Sequence, residues 1–281
     1  MADELKKSDL EILVATMNRS NLNFLIPMFP FAHFSEFSIL VINQTDGENL
    51  IISEYENVRV INSYEKGLSK SRNLALQNTS GKVALIADDD VVFIQGFDSK
   101  ILKTHQINND FSVICFQTLT DENKPYSIYR KEEFWMKEKD FRDVLSIELT
   151  FKPEDTRKKN IFFNEYFGLG AKFQDAESLF FLRRANHNQL KVLFSPENIV
   201  IHEAFSSSDD VASDRLIYAK MAGFYKRYNS RAYFFLVKFV FFLVRKSYIS
   251  FKEIIPKFKI GLNGIQDYKN LLKSKSESKY D

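Results

Sequence analysis

Short apolar runs alternate with helical or loop segments from Leu10 to about Ile201. Several runs are rich in Val, Ile and Leu on both faces, which is typical of strands covered on both sides of a sheet. This alternation indicates βαβ units and predicts an α/β fold with a mainly parallel sheet. The predicted helices are Asn21–Phe29 and Glu65–Gln77, and the predicted strands are Glu11–Ala15, Phe37–Ile42, Val58–Ile61, Val83–Ala87 and Ser112–Gln117.

Composition narrows the function classes that such a fold can serve. The 281 residues suffice for one large domain or for a domain with an appendage, and 39 Lys and Arg nearly balance 37 Asp and Glu. We therefore expect no nucleic-acid partner, which would favour a basic stripe. The single Cys115 lies in an apolar run and predicts a buried, inert thiol, with a catalytic thiol as the alternative. The amino-terminal residues lack the pattern of a secretory signal, which favours the cytoplasm.

An acidic triplet, Asp88, Asp89 and Asp90, interrupts the otherwise apolar sequence Leu85–Phe93. Like charges repel, and carboxylates beside a buried strand are costly to desolvate, so the triplet requires a physical reason. Ligands of parallel sheets bind beyond the carboxyl ends of strands, which is where the triplet falls. Adjacent carboxylates can hold a hard divalent cation that binds a diphosphate. A solvated acidic turn or a helix N-cap is the alternative.

Polar residues also follow the first two predicted strands. Thr16, Asn18 and Arg19 follow the first strand, and Asn43 ends the second. Each residue taken singly is also typical of a turn or an N-cap. Because the carboxyl ends of parallel strands share one edge of the sheet, these residues together with the triplet favour a ligand site.

The stretch Glu65–Phe93 resembles the family-2 glycosyltransferases of the GT-A fold, of the bacterial polysaccharide type. The shared pattern is a helix with the motif G-hydrophobic-[SA]-x-[SA]-R-N, then small residues and Gly, then a strand that ends in a D-x-D-type motif. The matching residues are Gly67, Leu68, Ser69, Ser71, Arg72, Asn73, Ser80, Gly81 and the acidic triplet. The resemblance covers roughly residues 10–205. It implies a Rossmann-like, mainly parallel sheet flanked by helices, with a C-terminal helical appendage.

The resemblance implies sugar transfer from a nucleotide-diphosphate-sugar donor to a hydroxyl acceptor, with inversion and with Mn²⁺ or Mg²⁺ as cofactor. The donor-binding residues that it implies are Thr16, Asn18, Arg19, Asn43, Arg72 and Asp88, and the implied metal ligands are Asp89, Asp90 and His202. Arg72 can instead be a surface charge, and His202 can be a structural histidine. The second strand ends in Asn43-Gln44-Thr45, where the family often has Asp-Asp or Asp-Gly-Ser, so the base that is bound stays open.

An inverting transferase needs a general base to deprotonate the acceptor hydroxyl. The family usually supplies it from an acidic pair at the start of a helix, and the matching stretch here is Phe167–Ala185, which begins Phe-Gly-Leu-Gly. Its acidic pair is irregular, because Asp175 and Glu177 bracket an alanine. We rank Glu177 first as the base and Asp175 second. Both can instead be first-turn acids that complement the helix dipole.

The C-terminal part of the chain differs in composition. Arg231–Phe251 is aromatic, flanked by basic residues and too short to span a bilayer, so it predicts an interfacial helix on an anionic membrane surface. Packing on the catalytic domain or on a dimer partner is the alternative. The sequence of residues 206–210 predicts a loop. The predicted boundaries are 1–210 for the catalytic domain (donor half about 8–117, acceptor half about 118–210), 211–272 for the helical region and 273–281 for a disordered tail.

These patterns predict a glycosyltransferase of surface polysaccharide or glycan synthesis that acts on a glycan or a lipid-linked acceptor. A peripheral location on the cytoplasmic face of the membrane and a homodimer are further expectations. A sugar-phosphate nucleotidyltransferase is the first alternative, although Asn18-Arg19-Ser20-Asn21 is not the Gly-rich phosphate loop that it would need. A non-catalytic protein that keeps the fold and has lost the base is the second alternative.

Overall fold

A computed structural model describes residues 4–204, 211–274 and 277. Within these residues the chain forms two compact units. Unit 1 lies within Met1–Lys66, Lys70–Phe163 and Ser178–Ala204, and unit 2 lies within Gly67–Ser69, Asn164–Glu177 and Phe205–Asp281. The predicted loop at 206–210 and most of the predicted tail at 273–281 fall outside the described residues. The predicted domain boundaries stay a prediction.

Unit 1 is built on a single twisted sheet, which has nine strands among the described residues. Its strands β1–β4 form a continuous parallel set in the order β3-β2-β1-β4, and β6 pairs in parallel with β9. The short β8 joins the two sets because it pairs antiparallel with both β4 and β6. The strands are Leu10–Met17 (β1), Ser38–Gln44 (β2), Val58–Ser63 (β3), Val83–Asp88 (β4), Val92–Phe93 (β5), Val113–Leu119 (β6), Phe134–Trp135 (β7), Leu149–Phe151 (β8) and Val192–Ile201 (β9).

The central strands are buried on both faces, as their apolar runs predict. Ile12 and Val14 of β1 contribute to one hydrophobic cluster, and Leu13 between them contributes to another. Alternate side chains of a strand point to opposite faces, so the sheet separates two cores. The helices in order are Leu68–Asn78 (α1), Phe97–Ile107 (α2), Pro153–Lys158 (α3) and Glu177–His187 (α4). The predicted α/β class with a mostly parallel sheet is therefore confirmed.

The predicted helix at Asn21–Phe29 is wrong. The segment forms only a short 3₁₀ turn at Asn23–Leu25, followed by further turns. Pro27 lies inside the segment, and a proline in a helix interior removes a hydrogen bond and clashes with the preceding turn. The turns instead bury Phe29 against Phe93, with ring centroids 4.9 Å apart. Hydrophobic burial thus decides the conformation here.

In the C-terminal part of unit 2, residues 211–274 form the α-helices Asp214–Tyr228 (α5), Ala232–Arg245 (α6) and Ile254–Lys273 (α7). Two glycines of α7 permit close packing against the other two helices. A Cβ at Gly264 would lie 2.2 Å from the Tyr218 carbonyl oxygen, and one at Gly261 would lie 2.3 Å from Leu236. The predicted C-terminal helical appendage is confirmed. Within the described part of the chain, every helix is too short or too polar to cross a bilayer.

Candidate functional site

The parallel register of unit 1 places the carboxyl ends of three strands side by side. Ala15 of β1 pairs with Asp88 of β4, and Thr16 pairs with Asn43 of β2. The loops that follow these strands therefore begin at the same edge of the sheet. This is the edge at which open parallel sheets bind ligands. The structure thus brings together the predicted donor-binding residues that follow β1, β2 and β4.

Asp89 is held by Thr16, near the end of β1, and by Arg19, which follows that strand. Its Oδ2 accepts a hydrogen bond from Thr16 Oγ1 at 2.5 Å, and Arg19 donates to the same oxygen from Nη2 at 2.8 Å and from Nε at 3.1 Å. The Arg19 side chain remains about half exposed. Asn18 lies between them in the left-handed region, with φ of 52°, and this conformation turns the chain away from the strand. The result is an accessible guanidinium–carboxylate pair.

Asn43 is fully buried, and its amide is used within the protein. Its Oδ1 accepts from the Arg19 backbone N–H at 3.1 Å, and its Nδ2 donates to the Arg19 carbonyl oxygen at 3.0 Å. Nδ2 also donates to Asn49 O and Asn62 Oδ1, each at 2.9 Å. The pattern indicates that Asn43 positions the loop that carries Arg19. Asn62, at the end of β3, is a further participant that sequence reasoning missed, although its place after a strand was a usable signal.

Arg72 projects from α1 into the interior of unit 1, where it is almost completely buried. Its Nη2 donates to Asp88 Oδ1 at 2.8 Å and to Ser146 Oγ at 2.7 Å, and its guanidinium carbon lies 5.7 Å from the Phe163 ring centroid. The surface-charge alternative for Arg72 is therefore excluded. Nothing in the sequence marks Ser146, because it belongs to a short 3₁₀ turn far along the chain.

The next residue, Asn73, explains the second half of the Arg-Asn motif. Its Nδ2 donates to the Phe163 carbonyl oxygen at 2.9 Å, and its Oδ1 accepts from the Phe163 backbone N–H at 2.7 Å. This two-way pairing satisfies a buried stretch of backbone that has no strand partner at that position. The Arg-Asn motif thus combines the ion pair of buried Arg72 with the hydrogen bonds that Asn73 makes to the backbone of Phe163.

Asp90 and His202 face each other where β9 ends. The distance from His202 Nε2 to Asp90 Oδ1 is 3.6 Å, and His202 Nδ1 lies 2.9 Å from the Glu203 carbonyl oxygen. The neighbouring His202 imidazole lowers the pKa of Asp90, against the opposing effect of burial. Asp90 in turn raises the pKa of His202. The two residues that the metal hypothesis pairs are therefore adjacent in space.

The carboxylate oxygens and the imidazole nitrogen of this cluster are ligand atoms that suit a hard divalent cation. Asp90 and His202 lie close enough together to bind one ion. Asp88 and Asp89 contact arginines instead, and the described residues contain no group of three or more His, Cys, Asp or Glu placed to hold a metal. The predicted set Asp89, Asp90 and His202 is thus only partly assembled, and its metal role stays a prediction.

The part of the predicted acceptor-side segment up to Glu177 lies in unit 2, and its glycines have a steric reason. Gly168 has φ of +100°, and a Cβ there would lie 2.9 Å from Ser69 Oγ and 3.2 Å from Glu177 Cβ. Gly170 has φ of +74° and packs on Gly67. Both positions require glycine, because a side chain would be strained and crowded. The Phe-Gly-Leu-Gly sequence therefore fixes the path of the chain that leads to the two candidate bases.

Asp175 and Glu177 flank Ala176, which has φ of 65°, and α4 begins at Glu177. Burial raises the pKa of Asp175, while Lys220, whose Nζ lies 3.9 Å from Asp175 Oδ2, opposes the rise. The first-turn alternative does not hold for Asp175, because Ala176 separates it from the helix, whereas Glu177 is an acid of the first turn of α4. Of the two acids, Asp175 has the environment that general bases share, namely burial that moves the pKa toward neutrality.

A cavity of about 310 Å³ adjoins this segment within unit 2. It is lined by Lys172, Gln174, Asp214, Arg215, Tyr218 and Ile260. Arg215 Nη1 donates to the Gln174 carbonyl oxygen at 2.9 Å, so the cavity wall is tied to the residue that precedes Asp175. Its lining surface is mostly apolar and carries a few charged and amide side chains, which is usual for small-molecule sites. The sequence pattern singled out Asp175, which follows Gln174, and none of the lining residues.

Two further titratable residues of unit 1 have perturbed pKa values. Burial raises the pKa of the Cys115 thiol well above its ordinary value, so the expected inert thiol is confirmed and the catalytic alternative is excluded. Burial raises the pKa of Glu148 to about 7, against hydrogen bonds from Tyr129, Thr118 and the Leu145 backbone. Glu148 ends the same 3₁₀ turn that presents Ser146 to Arg72.

Comparison with known proteins gives the family. The model of glycosyl transferase family 2 matches residues 33–180, which is more than half of the chain. No curated protein sequence matches. The crystal structure of S. aureus TarS 1-349 is similar with a TM-score of 0.53 at 12% identity, over 94% of this chain and 91% of that one.

Two complexes of the same S. aureus protein are also similar. The complex with UDP-GlcNAc has a TM-score of 0.57 at 14% identity, over 92% of this chain and 80% of that one. The complex with UDP has a TM-score of 0.53 at 15% identity, over 96% and 88%. At such identities the likeness shows the fold, which is GT-A. Together with the family match, it means that the chain belongs to glycosyl transferase family 2 and is a glycosyltransferase.

Proposed function

We propose that this glycosyltransferase moves a sugar from a nucleotide-diphosphate-sugar donor to a hydroxyl acceptor, with inversion. The observation that carries the proposal is the accessible Arg19–Asp89 pair at the shared carboxyl ends of β1 and β4. A solvent-accessible guanidinium fork is a good partner for diphosphate oxygens. The similar structures with UDP and UDP-GlcNAc support this donor class.

In this proposal the residues at the end of β1 bind the donor, and the buried residues Asn43 and Arg72 position them. Arg19 contacts the phosphates, with Thr16 and Asn18 beside it, and Asn43 positions the Arg19 loop from below. Arg72 binds Oδ1 of Asp88, and the other carboxylate oxygen of Asp88 binds the ribose. Asp88 is suited to this task, because its side chain is partly exposed while its partner is buried.

A divalent cation, Mn²⁺ or Mg²⁺, is part of the proposal. Asp89, Asp90 and His202 would hold it, and Asp90 and His202 are already adjacent. When bound, such a cation stabilises the negative charge that develops on a departing diphosphate. Asp89 exchanges its contact with Arg19 when the donor binds.

On the acceptor side we assign the general base to Asp175 in preference to Glu177. Its raised pKa favours proton uptake near neutral pH, and it follows directly the residue that is tied to the cavity wall. The cavity takes the acceptor, which we propose to be a glycan or a lipid-linked glycan of surface polysaccharide synthesis. Arg215, Gln174 and Tyr218 offer a guanidinium, an amide and an aromatic ring to its hydroxyl-bearing face.

The decisive experiment measures nucleoside diphosphate release from a panel of nucleotide sugars that includes UDP-GlcNAc, with and without Mn²⁺. We expect release with one donor class, loss of release in Asp89→Ala and no change in Asp110→Ala, an exposed aspartate that precedes β6 at the opposite edge of the sheet. Pyrophosphate release from a nucleoside triphosphate and a sugar phosphate would instead identify a nucleotidyltransferase. Binding of a donor without turnover with any acceptor would favour a non-catalytic protein. Absence of donor binding overturns the proposal.

A further inference from the structure

Helix α6 is apolar on two faces, and only one of them is buried in unit 2. Ala232, Leu236, Val240 and Leu243 pack into the unit 2 core. On the opposite side, Phe234, Val237 and Phe241 follow helical spacing and are 63%, 54% and 67% exposed. Because the buried face already satisfies the packing of the helix, the exposed face needs a separate reason.

The apolar surface continues beyond the helix. Tyr248, Phe251 and Ile255 are 53%, 81% and 66% exposed. We call Phe234, Val237, Phe241, Tyr248, Phe251 and Ile255 the aromatic face. Monomeric soluble proteins seldom expose so many large apolar side chains along one short stretch without a partner.

Five exposed cations flank the aromatic face, and the one acid between Arg231 and Ile255 is Glu253, which accepts hydrogen bonds from Ser250. The sequence from Arg215 to Lys252 contains no Asp or Glu. Lys238 lies within the exposed row of α6, with its Nζ 5.5 Å from the Phe234 ring centroid. The exposed cations of this stretch are Arg231, Lys238, Arg245, Lys246 and Lys252. A protein partner or a second copy would require acids to neutralise these cations, and a second copy offers only Glu253 from this region, which is already engaged by Ser250.

We infer that the aromatic face binds the surface of an anionic lipid bilayer. Phenylalanine and tyrosine rings enter the boundary between headgroups and acyl chains, and lysine and arginine side chains extend to the lipid phosphates. The helix lies along the bilayer, because its other face is held in the unit 2 core. Apolar insertion and phosphate attraction act together in this arrangement, since neither alone anchors a protein firmly. The inference does not depend on the sugar-transfer proposal.

The single buried cysteine makes a site-specific test possible. Cys115 is buried and its thiol pKa is raised, so it does not compete for a thiol-reactive fluorophore. Phe241→Cys places an environment-sensitive label on the aromatic face, and Ile128→Cys places it on a fully exposed loop residue of unit 1. Vesicles of phosphatidylcholine alone are compared with vesicles that also contain phosphatidylglycerol.

We expect the emission of the Phe241→Cys label to shift to the blue with the anionic vesicles only, and the Ile128→Cys label to stay unchanged. High salt should weaken the response, because it screens the attraction between cations and lipid phosphates. In vesicle sedimentation, Phe234→Ser combined with Phe241→Ser should bind about tenfold more weakly or worse, since two buried rings are lost. Far-UV circular dichroism checks that this variant folds.

Three results would overturn the inference. The first is an unchanged Phe241→Cys label with anionic vesicles, and the second is an equal shift of the Ile128→Cys label. The third is a blue shift that appears without vesicles as the protein concentration rises, together with a dimer that the double serine variant loses. That third result would assign the aromatic face to a second copy of the chain.

Discussion

Two Arg–Asp pairs at the carboxyl ends of neighbouring strands have the same contact distance and very different surroundings. Arg72–Asp88 and Arg19–Asp89 are both 2.8 Å pairs, but the Arg72 side chain is 1% exposed and that of Arg19 is 46% exposed. A buried guanidinium that loses its partner remains desolvated, whereas an exposed one returns to water. The first pair is therefore suited to hold the site, and the second to exchange its partner for a ligand.

The largest effect in this comparison is expected from removing the buried guanidinium. Arg72→Met leaves Asp88 and Ser146 without their donor, and we expect the free energy of unfolding to fall by about 3–5 kcal/mol. Urea unfolding followed by circular dichroism measures it. Arg142→Met, at an exposed arginine, is the control and should stay within about 0.5 kcal/mol of the unsubstituted protein. If Arg72→Met and Arg142→Met had equal free energies of unfolding, the buried Arg72–Asp88 pair would not hold the site as inferred.

The next effect concerns the third acid of the triplet, which pairs with a histidine. Asp90→Ala and His202→Ala should each raise the Mn²⁺ concentration for half-maximal activity by about 10–100-fold. Titration of Mn²⁺ at saturating donor measures this shift. Asp110→Ala serves as the control. An unchanged Mn²⁺ requirement in both variants would remove Asp90 and His202 from the metal site.

A smaller effect is expected from the exposed pair. Arg19→Ala should weaken donor binding by about tenfold, which corresponds to about 1.4 kcal/mol, because one charged phosphate contact is lost. The free energy of unfolding should change by no more than about 1 kcal/mol, since the pair is open to solvent. Calorimetric titration with UDP measures the affinity, and urea unfolding measures the free energy of unfolding. A large loss of stability with intact UDP binding would reverse the roles of the two pairs.

The smallest effect is a change in pH dependence on the acceptor side. Lys220 lowers the pKa of Asp175 against burial, so Lys220→Met should raise this pKa further. A base acts only when deprotonated, and the acidic limb of kcat/KM should therefore move to higher pH by up to about one unit. Lys103, an exposed lysine of α2, offers Lys103→Met as a control. An acidic limb that does not move would favour Glu177 as the base.

The sequence predicted the elements that rest on local pattern. Central strands such as Val83–Asp88 are recognisable because both faces are apolar, and α1 is recognisable by its motif and the glycine before it. The segment with Pro27 failed, because its apolar spacing resembles a helix while its proline forbids one. The candidate donor residues at the strand ends lie at one edge of the sheet, as expected, because strand ends in a parallel sheet coincide; their role in binding a donor stays a prediction.

What the sequence could not give is which groups pair. The partners in the site lie far apart along the chain: Thr16 and Asp89 are separated by 73 positions, and Arg72 and Ser146 by 74. Asn43 was expected to contact the nucleoside, and its amide instead makes contacts within the protein. The perturbed pKa of Glu148 also depends on burial, which no local pattern encodes.

The sequence by itself determined the family, the α/β class, the strand ends that carry polar residues and the presence of a basic, aromatic C-terminal helix. These properties follow from periodicity and motif, which act over a few residues. Only the tertiary structure decided that Arg72 is buried while Arg19 is open, that Asp90 meets His202, and which face of α6 is left exposed. The physical reason is that burial and strand register set the environment of each charge, and both arise from contacts between distant parts of the chain.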